Sequence, residues 1–237
     1  MALTARRADR LKTLADEIRL RFGVEAYAIA ADLAEPGAVD QILAAIEAEG
    51  RVADAVVNNA GYSNTHGFAT TAWPDHRAFL QVMLLAPIEL TRAVLPGMTD
   101  RKFGRVVNVA SLAGFTPGTA GDTLYGPVKS ALIKFSQGLH LEHKDTGVHV
   151  SALCPGYTYS EFHDVNGSRE QVSKAYPEWM WLGADEVAKV GYEAAEANRP
   201  VCVPGAPNKA IAGLLKVVPD EWTLALAGRH AERLGRL

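Results

Sequence analysis

The feature that most constrains this chain is an alternation. Short apolar runs rich in β-branched residues are separated by long stretches in which apolar residues recur every three to four positions. Strands that alternate with helices read as βαβ units, because a parallel strand needs a crossover of a dozen or more residues to return to the same end of the sheet. The predicted fold class is therefore α/β, a doubly wound parallel sheet with helices on both faces. Residues 2–5 read as a strand, and Asp9 stands where it can cap a helix carrying Leu11, Leu14, Ala15, Ile18 and Phe22 on one face, closed by Gly23. Further strands are expected at 24–33, 54–57, 105–110, 148–154 and 201–203, with helices at 36–50, 75–98, 123–144 and 185–198. Residues 157–183 read as irregular and aromatic-rich.

With 237 residues, 48% of them hydrophobic, the chain can bury one sizeable core, and no composition shift divides it. The expectation is one domain over 1–237, with 208–237 as a helical C-terminal extension. That tail mixes Leu and Val with Lys209, Lys216, Arg229, Arg233 and Arg236, interrupted by Pro219. It reads as packing on the fold or on a partner subunit, in a homo-oligomer, rather than lying on a membrane. Net charge is -3 and the basic residues are scattered, which argues against a nucleic-acid partner. Cys154 and Cys202 lack metal-ligand spacing and read as reduced thiols; His140 and His143, three apart on a helix, read as a solvated face. No metal is expected. Residues 1–7 hold no signal-peptide core, and no run approaches the roughly 18 consecutive apolar residues of a membrane span, so the expected location is the cytoplasm. Asn166-Gly167-Ser168 matches a glycosylation acceptor but reads as a turn.

Chemistry concentrates at predicted strand ends. Tyr125-Gly126-Pro127-Val128-Lys129 places a phenol and an ammonium one helical turn apart on the same face. A fixed cation beside a phenol favours phenolate and would bring the group toward the working range of a general acid or base. Alone the spacing is weak, since ordinary exposed helices produce it. Ser111, at the end of the preceding strand in Asn108-Val109-Ala110-Ser111-Leu112-Ala113-Gly114, adds a hydroxyl that can reach the phenol. Asp32-Leu33, Asn58-Asn59-Ala60-Gly61 and Pro155-Gly156-Tyr157-Thr158 occupy three other strand ends, where such sheets carry their ligand crevice.

Taken together, these motifs in this order resemble the short-chain dehydrogenase/reductase family, a Rossmann-like fold, over essentially the whole chain, and its bacterial branch in particular. The resemblance implies an NADP-dependent oxidoreductase, NAD being the other option, that moves a hydride between nicotinamide and a small-molecule carbonyl or alcohol substrate. It assigns proton transfer to Tyr125, ribose binding and tuning of Tyr125 to Lys129, and substrate hydrogen bonding to Ser111. It also places Asn59, Ala60 and Gly61 along the cofactor, Asp32 and Leu33 at the adenine, and Pro155, Gly156 and Thr158 beside the nicotinamide. Arg6 and Arg7 follow the first strand, where an acid would favour NAD and an Arg can clamp a 2′-phosphate, so NADP is the expected cofactor. The alternative for that pair is two solvated charges opening a helix.

The sequence departs from the family twice. Members open with a strand and a Gly-rich turn that holds the pyrophosphate; here Met1 stands where the second strand begins. The expectation is a shortened form of a longer protein, with a gap of about two interstrand spacings in the sheet. Met83 stands where the family usually has an Asn that anchors a proton-relay water. Tyr157, Tyr159, Phe162, Tyr176, Trp179, Met180 and Trp181 suggest an apolar or bulky substrate, or else pack on the core. Two competing readings are a catalytically silent binding or regulatory module on the same fold and an inactive fragment.

Overall fold

The computed structural model describes residues 1–63, 66–167 and 169–233. Strand β1 (Ala2–Ala5) leads into helix α1 (Ala8–Phe22), then β2 (Tyr27–Ala30), α2 (Ala38–Ala48) and β3 (Ala55–Asn58). Helix α3 (Trp73–Leu80) continues through one π-helical turn (Gln81–Leu85) into α4 (Ala86–Asp100), followed by β4 (Gly104–Val109). After a 3-10 turn at Leu112–Gly114 come α5 (Tyr125–Glu142) and β5 (Val148–Leu153). Then β6 (Tyr157–Tyr159), α6 (Phe162–Val165), α7 (Arg169–Ala175), β7 (Trp181–Gly183), α8 (Ala184–Glu196) and β8 (Val201–Cys202) lead to α9 (Ala206–Leu214) and α10 (Asp220–Arg233).

All sheet pairings are parallel. β3, β4, β5 and β8 form one sheet in that order, β1 and β2 a second, and β6 and β7 a third. Successive side chains of a strand face opposite sides of the sheet. Val106, Val148 and Val150 accordingly pack against Val94, Leu95 and Met98 of α4 on one side. Val107 and Leu153 pack against Val187, Ala194 and Ala195 of α8 on the other. Both faces are covered, as in parallel sheets generally, and valines of β4 and β5 serve both sides. Gly147 joins α5 to β5 at φ 77°, and a Cβ there would lie 2.1 Å from the carbonyl oxygen of Lys102, so only glycine fits.

The expected α/β alternation is present, with instructive shifts. Strand 24–33 contracts to Tyr27–Ala30 because only that stretch has a partner, β1. The residue capping α1 is Arg7, without a side-chain cap bond; Asp9 lies inside the first turn. Of the face predicted for α1, Leu11 and Ala15 are buried, while Leu14 is 44% and Phe22 61% exposed. The segment expected to be irregular, 157–183, contains the β6–β7 pair and two short helices, an arrangement of pairing strands with no local periodicity to announce it. In the tail, α9 and α10 are separated before Asp220 by a stretch that ends in Pro219, and residues 234–237 lie outside the described residues. The run Trp73–Asp100 is long and apolar enough, by length and composition, to cross a membrane. Its buried residues nonetheless pack into this protein, Val94, Leu95 and Met98 on the sheet and Phe79 and Met83 on Val128 of α5.

β1 and β3 are not paired with each other. Thr4 and Ala5 of β1 and Ala55, Val56 and Val57 of β3 line the same cleft, and Val57 is 62% exposed, unusual for a valine in a parallel strand.

Candidate active site

Ser111 ends β4, and its oxygen accepts a hydrogen bond from the Ala113 amide at 3.1 Å, capping the 3-10 turn. The hydroxyl lies 3.5 Å from the Pro155 carbonyl, which ties the β4 end to the β5 end. Gly114 then brings that turn against α5: a Cβ there would stand 2.9 Å from the Lys129 carbonyl carbon and 2.6 Å from Ile133 Cδ1. This close approach is what sets Ser111 against Tyr125, and nothing in the local sequence beyond a glycine marks it.

Tyr125 is the first residue of α5, and Lys129 lies one turn on with its Nζ 5.5 Å from the Tyr125 ring centre. Lys129 donates a 2.7 Å hydrogen bond to the Val109 carbonyl. Burial pushes the Lys129 pKa down to about 8, with Cys154 opposing the shift weakly. Burial also raises the Tyr125 phenol; a hydrogen bond from Ser111 lowers it and Asp122 raises it further. This corrects one expectation. Lys129 is not a cause of any lowering of Tyr125 here, because its ammonium is directed to a backbone carbonyl and its own charge is disfavoured by burial. Tyr125 is a neutral phenol at ordinary pH, a donor rather than a phenolate.

The Asn58-Asn59-Ala60-Gly61 turn is held by a buried polar ladder. Asn58 Nδ2 donates to Asn108 Oδ1 at 2.8 Å, Asn108 Nδ2 donates to Ser136 Oγ at 2.9 Å, and Ser136 donates to the Leu132 carbonyl at 2.8 Å. The ladder joins β3, β4 and α5, so the strand ends and the Tyr125 helix keep a fixed relation. Met83 is buried against Phe79 and Val128, and its sulfur accepts the Tyr62 amide at 3.3 Å. Sulfur is a weak acceptor, so this position offers little to anchor a polar group.

Arg6, Arg7, Asp32, Leu33, Asn59, Ala60, Gly61, Ser111, Tyr125, Lys129, Pro155, Gly156 and Thr158 all line one cleft. Every predicted site residue faces this one cleft, of about 2000 Å³. That exceeds the 300–1,000 Å³ or so of an ordinary ligand pocket because the ligand crevice merges with the slot between β1 and β3. Asp32 Oδ1 accepts from the Ala34 amide at 3.0 Å, building its turn, and the Thr158 hydroxyl donates to the Gly156 carbonyl at 3.2 Å. A Cβ on Gly156 would meet the Asn208 amide at 2.6 Å, so α9 buttresses the Pro155-Gly156 turn. The donor set suits a nicotinamide dinucleotide, since guanidinium groups, hydroxyls and an ammonium line the same cleft. No Gly-rich turn precedes β1 within these residues.

Of the aromatic group, Tyr157 stacks on Tyr176 and Trp181, with ring centres 4.6 and 5.3 Å apart, and Tyr159 stacks on Trp181 at 5.0 Å. Phe162 approaches Tyr125, with ring centres 6.0 Å apart. Tyr157, Phe162, Tyr176 and Met180 also line the cleft, while Trp181 is buried in the packing. Ser63 and Asp122 carry no sequence signal, and Asn166 only that of a turn: the Ser63 hydroxyl donates to Asp122 at 2.7 Å and its amide to Asn166 Oδ1 at 3.0 Å. Their separation of 59 and 103 residues leaves no local signal. Asn166 lies in the turn after α6, while Ser168 of the acceptor motif lies outside the described residues. Cys154 and Cys202 are buried free thiols, and burial pushes Cys154 up to about 12. His143, expected on a solvated face, is instead half-buried with Nδ1 3.4 Å from the Thr99 and Thr146 hydroxyls.

The α/β fold and the Ser, Tyr and Lys gathered after β4 and at the start of α5 set the class of protein to compare with. The short chain dehydrogenase family model matches residues 1–171, and the chain belongs to that family. A short chain dehydrogenase of Pseudocercospora fijiensis is 38% identical over 167 residues, covering 68% of this chain and 52% of that protein. The NADP-dependent 3-hydroxy acid dehydrogenase YdfG of Escherichia coli is 32% identical over 196 residues, 78% of this chain and 75% of that protein. The structure of a short-chain dehydrogenase from Sphingobium yanoikuyae in complex with NADPH superposes with a TM-score of 0.76 at 27% identity, covering 92% of this chain and 86% of that one. The chain spans little more than half the length of the curated relatives that it matches first, 52% to 57%.

Proposed function

We propose that the protein is an oxidoreductase that uses a nicotinamide cofactor, NADP in preference to NAD, to interconvert a small-molecule carbonyl compound and its alcohol. The observation that carries this reading is the convergence of Ser111, Tyr125 and Lys129 on one cleft that Arg6 and Arg7 also line. Bound nicotinamide would supply or accept the hydride. Ser111 would hold the substrate oxygen, and Tyr125, a neutral phenol in the free protein, would give its proton to that oxygen as the carbonyl is reduced. Lys129, with a pKa near 8, would hold the ribose and return a proton to Tyr125. An NADPH-bound relative of similar structure supports the cofactor class.

The reading is tested by NADPH oxidation with a panel of ketones, alongside Tyr125→Phe. General acid–base groups contribute about 10²- to 10⁴-fold, so the variant should lose at least about a hundredfold in kcat while folding normally. Nucleotide binding without turnover by the parent chain would favour the second reading, a silent binding module, which the apolar Met83 supports.

A further inference from the structure

One of the two cations that line the cleft, Arg7, already shares with Arg10 an anion from across the molecule. Arg10 Nη1 lies 3.0 Å from both carboxylate oxygens of Glu161, and Arg7 Nη2 lies 3.3 Å from one of them. Glu161 is 151 and 154 residues away in sequence, just before α6, and the contact crosses from α1 to the loop after β6. Arg7 and Glu161 both line the cleft. The next residue, Phe162, is the ring that approaches Tyr125. Two guanidinium groups converging on one carboxylate form the arrangement that also receives a phosphate, because planar N–H donors match either oxyanion.

We propose that Glu161 is an internal competitor for the phosphate seat formed by Arg7 and Arg10, a carboxylate latch that a nucleotide 2′-phosphate must displace. This deepens the NADP reading and rests on it. All three side chains are more than half exposed, so the latch is weak and exchangeable, as displacement requires. Its release would uncouple the Phe162 segment from α1 at the moment the cofactor enters. Arg10 also joins the residues that decide between NADP and NAD, one turn along the helix from Arg6 and Arg7.

The test is the dissociation constant of NADPH and of NADH for the parent chain and for Glu161→Gln, with adenosine 2′-monophosphate as a probe lacking nicotinamide. Glu161→Gln should bind NADPH and adenosine 2′-monophosphate about two- to fivefold more tightly, the ratio expected for an exposed ion pair. NADH should change less than about 1.5-fold. In the parent, adenosine 2′-monophosphate should speed tryptic cleavage at Lys174, and in Glu161→Gln that cleavage should be fast without it. An NADPH preference in the parent that Glu161→Gln leaves unchanged would overturn the latch and spare the NADP reading. Equal binding of NADPH and NADH by the parent, or binding of neither, would overturn the NADP reading and the latch with it.

Discussion

Two pairs of parallel strands in this molecule have the same local character and different fates. β4 and β5 are flanked by strands on both sides and by α4, α5 and α8 on their faces, and Val106, Val150 and Ala152 are completely buried. β1 and β2 pair only with each other; Ala2, Ala5, Ala28 and Ala30 are exposed, and Ile29 is the one β2 residue that is buried. The difference teaches that a parallel strand reaches the interior only when its neighbours are in place, because hydrogen bonding of its edges and covering of its faces come together. Ser111 follows β4 and Tyr125 and Lys129 lie on α5, which packs on the first pair, while Arg7 and Arg10 lie beside the second. On the proposed reading, proton transfer rests on the closed half and cofactor selection on the open half.

The sharpest way to break this comparison is a matched pair of truncations. Leu132→Ala, in the cluster of Ala110, Ile133, Ala152 and Cys154, should cost about 2–5 kcal/mol of stability. Leu14→Ala on α1, whose side chain is largely in water, should cost less than about 1 kcal/mol. Equal losses in denaturant unfolding would show that the open half is as tightly packed as the closed one.

A smaller effect tests the electrostatics of the closed half. Lys129 has a folded pKa near 8, below its unfolded value, so between the two the unfolded chain binds more protons and stability rises with pH. Below pH 8 the buried charge is a full penalty. Lys129→Met should therefore raise stability at pH 7 by on the order of 2–3 kcal/mol, with the advantage shrinking as pH climbs from 8 toward 10.5. A constant difference across that range would mean that Lys129 is not destabilised by burial.

The smallest expected change is in turnover. Met83→Asn, which restores an amide to the π-helical turn beside Tyr62, should raise kcat a few-fold over the parent if a relay limits the rate. Equal rates would show that Tyr125, Lys129 and Ser111 act without it.

The fold class and most of the site were legible because their signals are local. The alternation of apolar runs sets α/β, and Tyr125 and Lys129 share a helix face by spacing alone. Strand ends gather at one side of a parallel sheet, so Asn59, Ser111 and Pro155 were bound to face one crevice. What stayed hidden has sequence separation as its common cause. The β6–β7 pairing, the Ser63–Asp122–Asn166 contacts and the Glu161 latch join residues that no periodicity links.

By itself, then, the sequence determined which residues carry hydroxyl, phenol, ammonium and guanidinium groups and on which elements they lie. The tertiary structure alone decided their electrical state and their company. Burial, not the neighbouring Lys129, controls Tyr125, because desolvation depends on everything packed around the ring. Likewise the partner of Arg7 and Arg10 is a carboxylate some 150 residues away, brought within reach only when the chain folds the segment after β6 against the start of α1.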